Sequence, residues 1–169
     1  NLIEDFFKNH GFHILPLSSF LKDSSLPKGF YPEKKIFPSF QKYILDSAEV
    51  GINLLNTIST FDVGQSAVVS SKLVYAIEGQ EGTDCMIDRA GSLSNKNKLL
   101  THPGPVLIKI PKINQNINLD PPVIGFETVK KCIENNFSSL VVSSNGTIIF
   151  ELKKIMNLIN TKNFVIYVV

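Results

Sequence analysis

Between Phe61 and Gly91 the chain reads FDVGQSAVVSSKLVYAIEGQEGTDCMIDRAG, and the order of residue types there leaves few folds open. Ala67 to Val69 and Leu73 to Ile77 are apolar and mostly β-branched or aromatic, and only Ser70, Ser71 and Lys72 separate them, which is the pattern of a short hairpin. Glu78, Glu81, Thr83, Asp84 and Arg89 follow in quick succession, with Gly79 and Gly82 among them. Glycine at these positions ends the strand and lets the backbone approach a ligand or take positive φ. Thr83 is placed to N-cap a helix running through Met86, Ile87 and Ala90. A strand end, a glycine turn and a helix start then gather free N–H groups and carboxylates, an arrangement suited to a phosphate bridged by a divalent cation.

The flanking sequence alternates helical and strand periodicity. Leu2, Ile3, Phe6 and Phe7 form an amphipathic pattern stopped by Gly11; Phe12 to Leu15 reads as a strand and Leu17 to Leu21 as a helical turn. Ser24 to Pro38 carries Pro27, Pro32 and Pro38 without periodicity and is expected to be a linker or extended loop. Phe40, Tyr43, Ile44, Ser47, Ala48, Gly51, Leu54, Leu55 and Ile58 recur at helical spacing, and the small residues in mid-stripe suit a close crossing over a sheet. Its expected role is packing. Beyond the central stretch, Ser92 to Pro105 reads as a loop, Val106 to Ile110 as a buried strand and Asp120-Pro121-Pro122 as an extended approach to Val123-Ile124-Gly125. A helix carrying Val129, Cys132, Ile133 and Asn136 on one face comes next. Leu140 to Val142 and Thr147 to Phe150 flank SSNG as a second hairpin; a short helix over Leu152 to Ile159 and a strand from Phe164 to Val169 close the chain. The expectation is a mixed-sheet α/β fold with two hairpins.

At 169 residues and 43% hydrophobic, the chain can bury one good core with room for a small second unit. A net charge of +2 without a Lys/Arg cluster gives no footprint for nucleic acid. No apolar run reaches the roughly 20 residues that span a bilayer, and acids stand where a signal peptide would be basic, so a cytosolic protein is expected. Cys85 and Cys132 lack CxxC companions and are expected to be reduced, buried thiols. His10 and His13 are separated by a glycine, and His102 beside Pro103 reads as a loop residue, so none is expected to ligate metal. Ser66 lacks a G-x-S-x-G frame, and no phosphate-binding glycine motif of the P-loop or dinucleotide type occurs.

Glu78, Glu81, Asp84 and Asp120 are the candidate oxygen ligands for a cation; without more, acids after a strand form a solvated loop more often than a metal site. Arg89 reads equally as a phosphate clamp or as an internal partner of Asp84 or Glu81. Lys109, within V-L-I-K-I, is either a ligand cation or the solvent-facing lysine of an edge strand. Gln65 can bond a nucleobase or phosphate, or satisfy a turn. Asp88 is expected to be a surface charge. Gly82, at the helix start, is expected to tolerate a larger side chain less well than Gly104, read as part of an exposed proline loop.

The segments D-V-G-Q-S at Asp62 to Ser66, A-I-E-G-Q-E-G-T-D at Ala76 to Asp84, R-A-G at Arg89 to Gly91, K-I-P-K at Lys109 to Lys112 and D-P-P-V-I-G-F-E-T-V at Asp120 to Val129 resemble, in order, motifs of the LpxI-type UDP-2,3-diacylglucosamine pyrophosphatases of lipid A biosynthesis. The resemblance covers the chain from about Pro38 to its end. It implies a catalytic α/β domain over 38–169, a linker over 26–37 and, over 1–25, the end of a truncated N-terminal Rossmann-like domain. It further implies hydrolysis of UDP-2,3-diacylglucosamine to 2,3-diacylglucosamine 1-phosphate and UMP, with Mg²⁺ or another divalent cation as cofactor. The implied metal ligands are Asp84 and Asp120, which with Glu81 are the implied catalytic residues; Gln65, Gly82, Thr83, Arg89, Lys109 and Thr128 would bind substrate. The lipid substrate would bring the protein transiently to the inner membrane surface, and a homodimer is left open. A non-catalytic nucleotide-sugar or lipid-binding remnant of such an enzyme is the alternative.

Overall fold

The computed structural model describes residues 2–21, 24–33, 36–96, 103–113 and 115–169, so His102 and Lys98 lie outside the described residues. Helix α1 (Leu2–Asn9) is followed by a 3-10 turn, β1 (Gly29–Tyr31), the long helix α2 (Pro38–Ile58), the hairpin β2 (Ser66–Ser70) and β3 (Leu73–Ile77), then α3 (Gly82–Lys96) and β4 (Val106–Lys109). The two-residue strand β5 (Val123–Ile124), α4 (Phe126–Glu134), β6 (Ser139–Val142), β7 (Ile148–Ile149), α5 (Leu152–Asn160) and β8 (Val165–Val168) complete the chain.

Six strands form one mixed sheet in the order β1-β8-β6-β4-β2-β3. β4, β6 and β8 run parallel, and β2 reverses direction beside β4. The three parallel strands are buried apart from the half-buried Tyr167 of β8, as their mainly apolar runs require of strands covered on both faces. Val106 and Ile108 face the core beneath α2, whereas Leu107 faces the core beneath α3, α4 and α5. The architecture is therefore three layers, with α2 on one side of the sheet and α3, α4 and α5 on the other.

Pro38 opens α2 at a position where the missing N–H costs nothing. The small residues in its stripe allow the expected close crossing: a Cβ on Gly51 would sit 2.7 Å from Ile108 Cγ1. Ser47 anchors the same helix to the β2–β3 turn by accepting the Ser71 N–H at 2.8 Å.

Several readings of the sequence are corrected. Phe12 to Leu15 is not a strand, and the segment expected to be a linker contributes β1, paired antiparallel to β8. α3 runs on to Lys96, into the expected loop. SSNG does not make a hairpin: β6 pairs with β4 and β8, while β7 pairs in parallel with β5 as a separate two-stranded sheet. Asn136 stands beyond the end of α4 with φ 61°. Cys132 is buried as expected, but Cys85 is exposed. Gly104 is not in an open loop, since a Cβ there would lie 1.9 Å from the Asn136 carbonyl oxygen.

Candidate active site at the ends of strands β2, β3 and β4

Alternation along β4 turns Lys109 to the face of Leu107, toward α3. The strand is internal, so Lys109 is no edge lysine; it is only 7% exposed. Because β2 runs antiparallel to β4, the start of β2 lies against the end of β4, with Ser66 opposite Lys109. The Glu78 N–H bonds the Ser66 carbonyl at 2.9 Å, which brings the end of β3 to the same edge. Gly82, at φ +79°, then turns the chain into α3 and sets Thr83 and Asp84 in its first turn.

A short polar chain results. Lys109 Nζ donates to Thr83 Oγ1 at 2.8 Å, Thr83 Oγ1 donates to Glu78 Oε1 at 2.5 Å, and the Gln65 N–H donates to Glu78 Oε2 at 3.2 Å. Thr83 thus spends its hydroxyl inward on Glu78 rather than on a helix cap. Burial pushes the Lys109 ammonium below the usual lysine range, while the charges of Glu78, Asp84 and Asp120 oppose that shift.

Asp84 Oδ1 accepts from the Thr128 hydroxyl of α4 at 3.3 Å. Asp120 is held by a turn in which its N–H reaches the Asn116 carbonyl at 3.0 Å, and Gln115 Nε2 donates to its carboxylate at 3.2 Å. The β5–β7 pair steadies the residues that follow, since the Ile148 N–H bonds the Pro122 carbonyl at 2.8 Å. Among the described residues neither Asp84 nor Asp120 has a lysine or arginine at ion-pair distance. Glu78 has none either, whereas Glu81 pairs with Arg89 at 2.6 Å, Asp88 with Lys131 at 2.8 Å and Asp62 with Lys112. These contacts hold the Glu81, Asp88 and Asp62 carboxyls below their usual range. Asp88, expected to be a solvated charge, ties α3 to α4 through Lys131 and Asn135.

Arg89 takes the internal role, donating also to the Ile77 carbonyl at 3.2 Å. The Gln65 side-chain Oε1 is buried and has no partner among the described residues. A polar cavity of about 330 Å³ adjoins Asp120, lined by Ser59, Asp62, Lys112, Gln115 and Asn116. A larger, mostly apolar cavity of about 820 Å³ opens at the other ends of the strands, around Phe37, Phe40, Phe137 and Phe164. The smaller cavity reaches the cluster through Asp120, whose charge acts on the Lys109 ammonium. Reading the sequence missed the pivotal place of Glu78, although period-two alternation in β3 sets it on the inward face of Ala76.

No three His, Cys, Asp or Glu side chains converge as a metal cage among the described residues. Magnesium needs no such cage: one or two carboxylates with substrate phosphates and water suffice. Asp84 and Asp120, both without a basic partner and both acting on Lys109, fit that donor chemistry.

Comparison with known proteins agrees with this architecture. Residues 35–167 match the LpxI C-terminal domain. The chain is 27% identical over 154 residues to the UDP-2,3-diacylglucosamine pyrophosphatase LpxI of Caulobacter vibrioides, a match covering 90% of this chain and 53% of that protein. It thus spans about half the length of that curated relative. With most of its residues inside one family domain and a mixed α/β sheet to match, the chain belongs to the LpxI C-terminal domain family.

Proposed function

We propose that the protein hydrolyses the pyrophosphate of UDP-2,3-diacylglucosamine, giving 2,3-diacylglucosamine 1-phosphate and UMP in lipid A biosynthesis. The observation that carries this reading is the buried Lys109 ammonium, set at the mouth of the parallel strands beside the first turn of α3 and acted on by Asp84 and Asp120. A cation fixed in low dielectric next to a helix N-terminus suits a diphosphate better than a neutral ligand. Asp84 and Asp120 would hold Mg²⁺, which supplies charge neutralisation of the diphosphate and polarises the phosphoryl oxygens. Lys109 and the Thr83 N–H bind and orient the phosphates, and Gln65 offers its unpaired amide oxygen to the substrate.

Glu81 and Arg89, locked together at 2.6 Å, frame the turn before α3; opening of that pair frees either for substrate. Thr128 keeps the Asp84 carboxylate oriented. Among the described residues no helix is long and apolar enough to cross a membrane. The protein acts in the cytoplasm and meets the inner membrane surface through its lipid substrate.

The test is incubation with UDP-2,3-diacylglucosamine and Mg²⁺, with both products identified by mass spectrometry. Formation of UMP together with the lipid phosphate supports the reading. Tight binding of the lipid nucleotide without products would replace it by the non-catalytic binding module.

A further inference from the structure

Glu78 has a different task from the aspartates beside it. Its side chain is 8% exposed, and each carboxylate oxygen already accepts a hydrogen bond, Oε1 from the Thr83 hydroxyl and Oε2 from the Gln65 N–H. Asp84 and Asp120 are exposed, whereas Glu78 is buried with both oxygens engaged inside the cluster. Gly64 makes the second contact reachable: a Cβ on it would lie 2.2 Å from the Glu78 carbonyl oxygen, so only glycine lets this backbone press against β3. With an ionised carboxylate as acceptor, the single Thr83 proton must point at Glu78, and a lone pair then faces Lys109. The chain of bonds has one direction, from Lys109 through Thr83 to Glu78. Lys109 spends one of its three N–H bonds on Thr83, and among the described residues the other two have no hydrogen-bond partner.

We propose that Glu78 is a positioning residue: through Thr83 it fixes the Lys109 ammonium so that the two remaining N–H bonds meet the oxygens of a diphosphate. That the anion is the diphosphate of a nucleotide-linked substrate rests on the function proposed above; the fixed ammonium rests on the geometry alone. Glutamine cannot replace glutamate here, because its amide has one acceptor where Glu78 uses two, and the –NH₂ would face a donor.

The sign of one substitution separates positioning from simple charge. Removing a negative charge near an anion site tightens anion binding by Coulomb's law; losing the fixed ammonium weakens it. Titration calorimetry with inorganic pyrophosphate and Mg²⁺, alongside kcat and KM on the lipid nucleotide, is run on the parent, Glu78→Gln, Thr83→Val, the double variant and Thr83→Ser, each checked for folding by circular dichroism. The expected result is pyrophosphate binding weakened about tenfold or more in Glu78→Gln and in Thr83→Val, with the double variant no worse than either single, and most of the loss restored by Thr83→Ser. Should Glu78→Gln not fold, the Thr83 pair carries the same test. Binding that tightens in Glu78→Gln, or that is unchanged in Thr83→Val, overturns the proposal even if turnover persists. Weakened pyrophosphate binding in these variants, with no turnover by the parent, leaves the positioning role standing and removes the hydrolase reading.

Discussion

Asp84 and Asp120 differ from Glu81, Asp88 and Asp62 in having no lysine or arginine at ion-pair distance among the described residues, and that difference decides what their loss should do. Asp84→Asn or Asp120→Asn preserves shape and breaks no ion pair, so thermal stability should stay within a few degrees of the parent while turnover falls by roughly three decades or more. Rates near the parent's in both variants would remove the two aspartates from the mechanism. Lys109 titrates in a direction that can be followed. Its ammonium is pushed below the usual lysine range by burial, so the unfolded chain holds this proton to higher pH than the folded one. The destabilisation is full below the folded value and is relieved as pH rises toward the unfolded value of about 10.4. Denaturation of the parent and of Lys109→Met across that window should therefore show the parent gaining stability relative to the variant as pH rises; a flat or falling difference would mean that the ammonium is not desolvated. The two glycines trade places relative to the reading from sequence. Gly82→Ala meets open space and pays only for positive φ, about 1–2 kcal/mol, whereas Gly104→Ala drives a Cβ into a backbone carbonyl that cannot swing aside. Urea denaturation should place Gly104→Ala well below Gly82→Ala.

At the scale of elements, the sequence carried the β2–β3 hairpin, α2 and the parallel strands, because each has a strong period and clear punctuation. β2 and β3 were legible from β-branched runs two or three polar residues apart, and α2 from nine residues at helical spacing. The β6–β7 hairpin was misread because a good turn sequence, SSNG, says nothing about which neighbours compete for a buried strand. β6 is apolar on both faces and is claimed by β4 and β8. β1 is hidden by the prolines that flank it, Pro27 and Pro32, being only three residues long and on a sheet edge, where Pro32 can follow directly. Thr83 was read as a cap because its local sequence suits one; its partner Glu78 comes from the same turn, but Lys109 comes from a strand 26 residues away, which no local pattern reveals. Element packing gives a further test. Gly51→Val must displace Ile108, 2.7 Å from the ideal Cβ, and overpacking of this kind costs about 1–3 kcal/mol. A variant as stable as the parent would show that α2 can lift off β4.

Across the whole molecule, three strand ends, one helix start and the Asp120 turn meet at one edge of the sheet, at the point where the strand direction reverses between β4 and β2. Open α/β sheets bind ligands outside the carboxyl ends of their parallel strands, and Lys109 closes that end of β4. The opposite edge has the larger cavity, but it is walled mainly by apolar side chains. Placing the chemistry at the first edge commits the account to a divalent cation acting there with the buried ammonium. The most direct test is UMP release from UDP-2,3-diacylglucosamine by the metal-stripped protein as Mg²⁺ is added back. The account predicts no release without the cation, saturable recovery with it, and no recovery in Asp84→Asn or Asp120→Asn; UMP release that persists unchanged in excess chelator would contradict it.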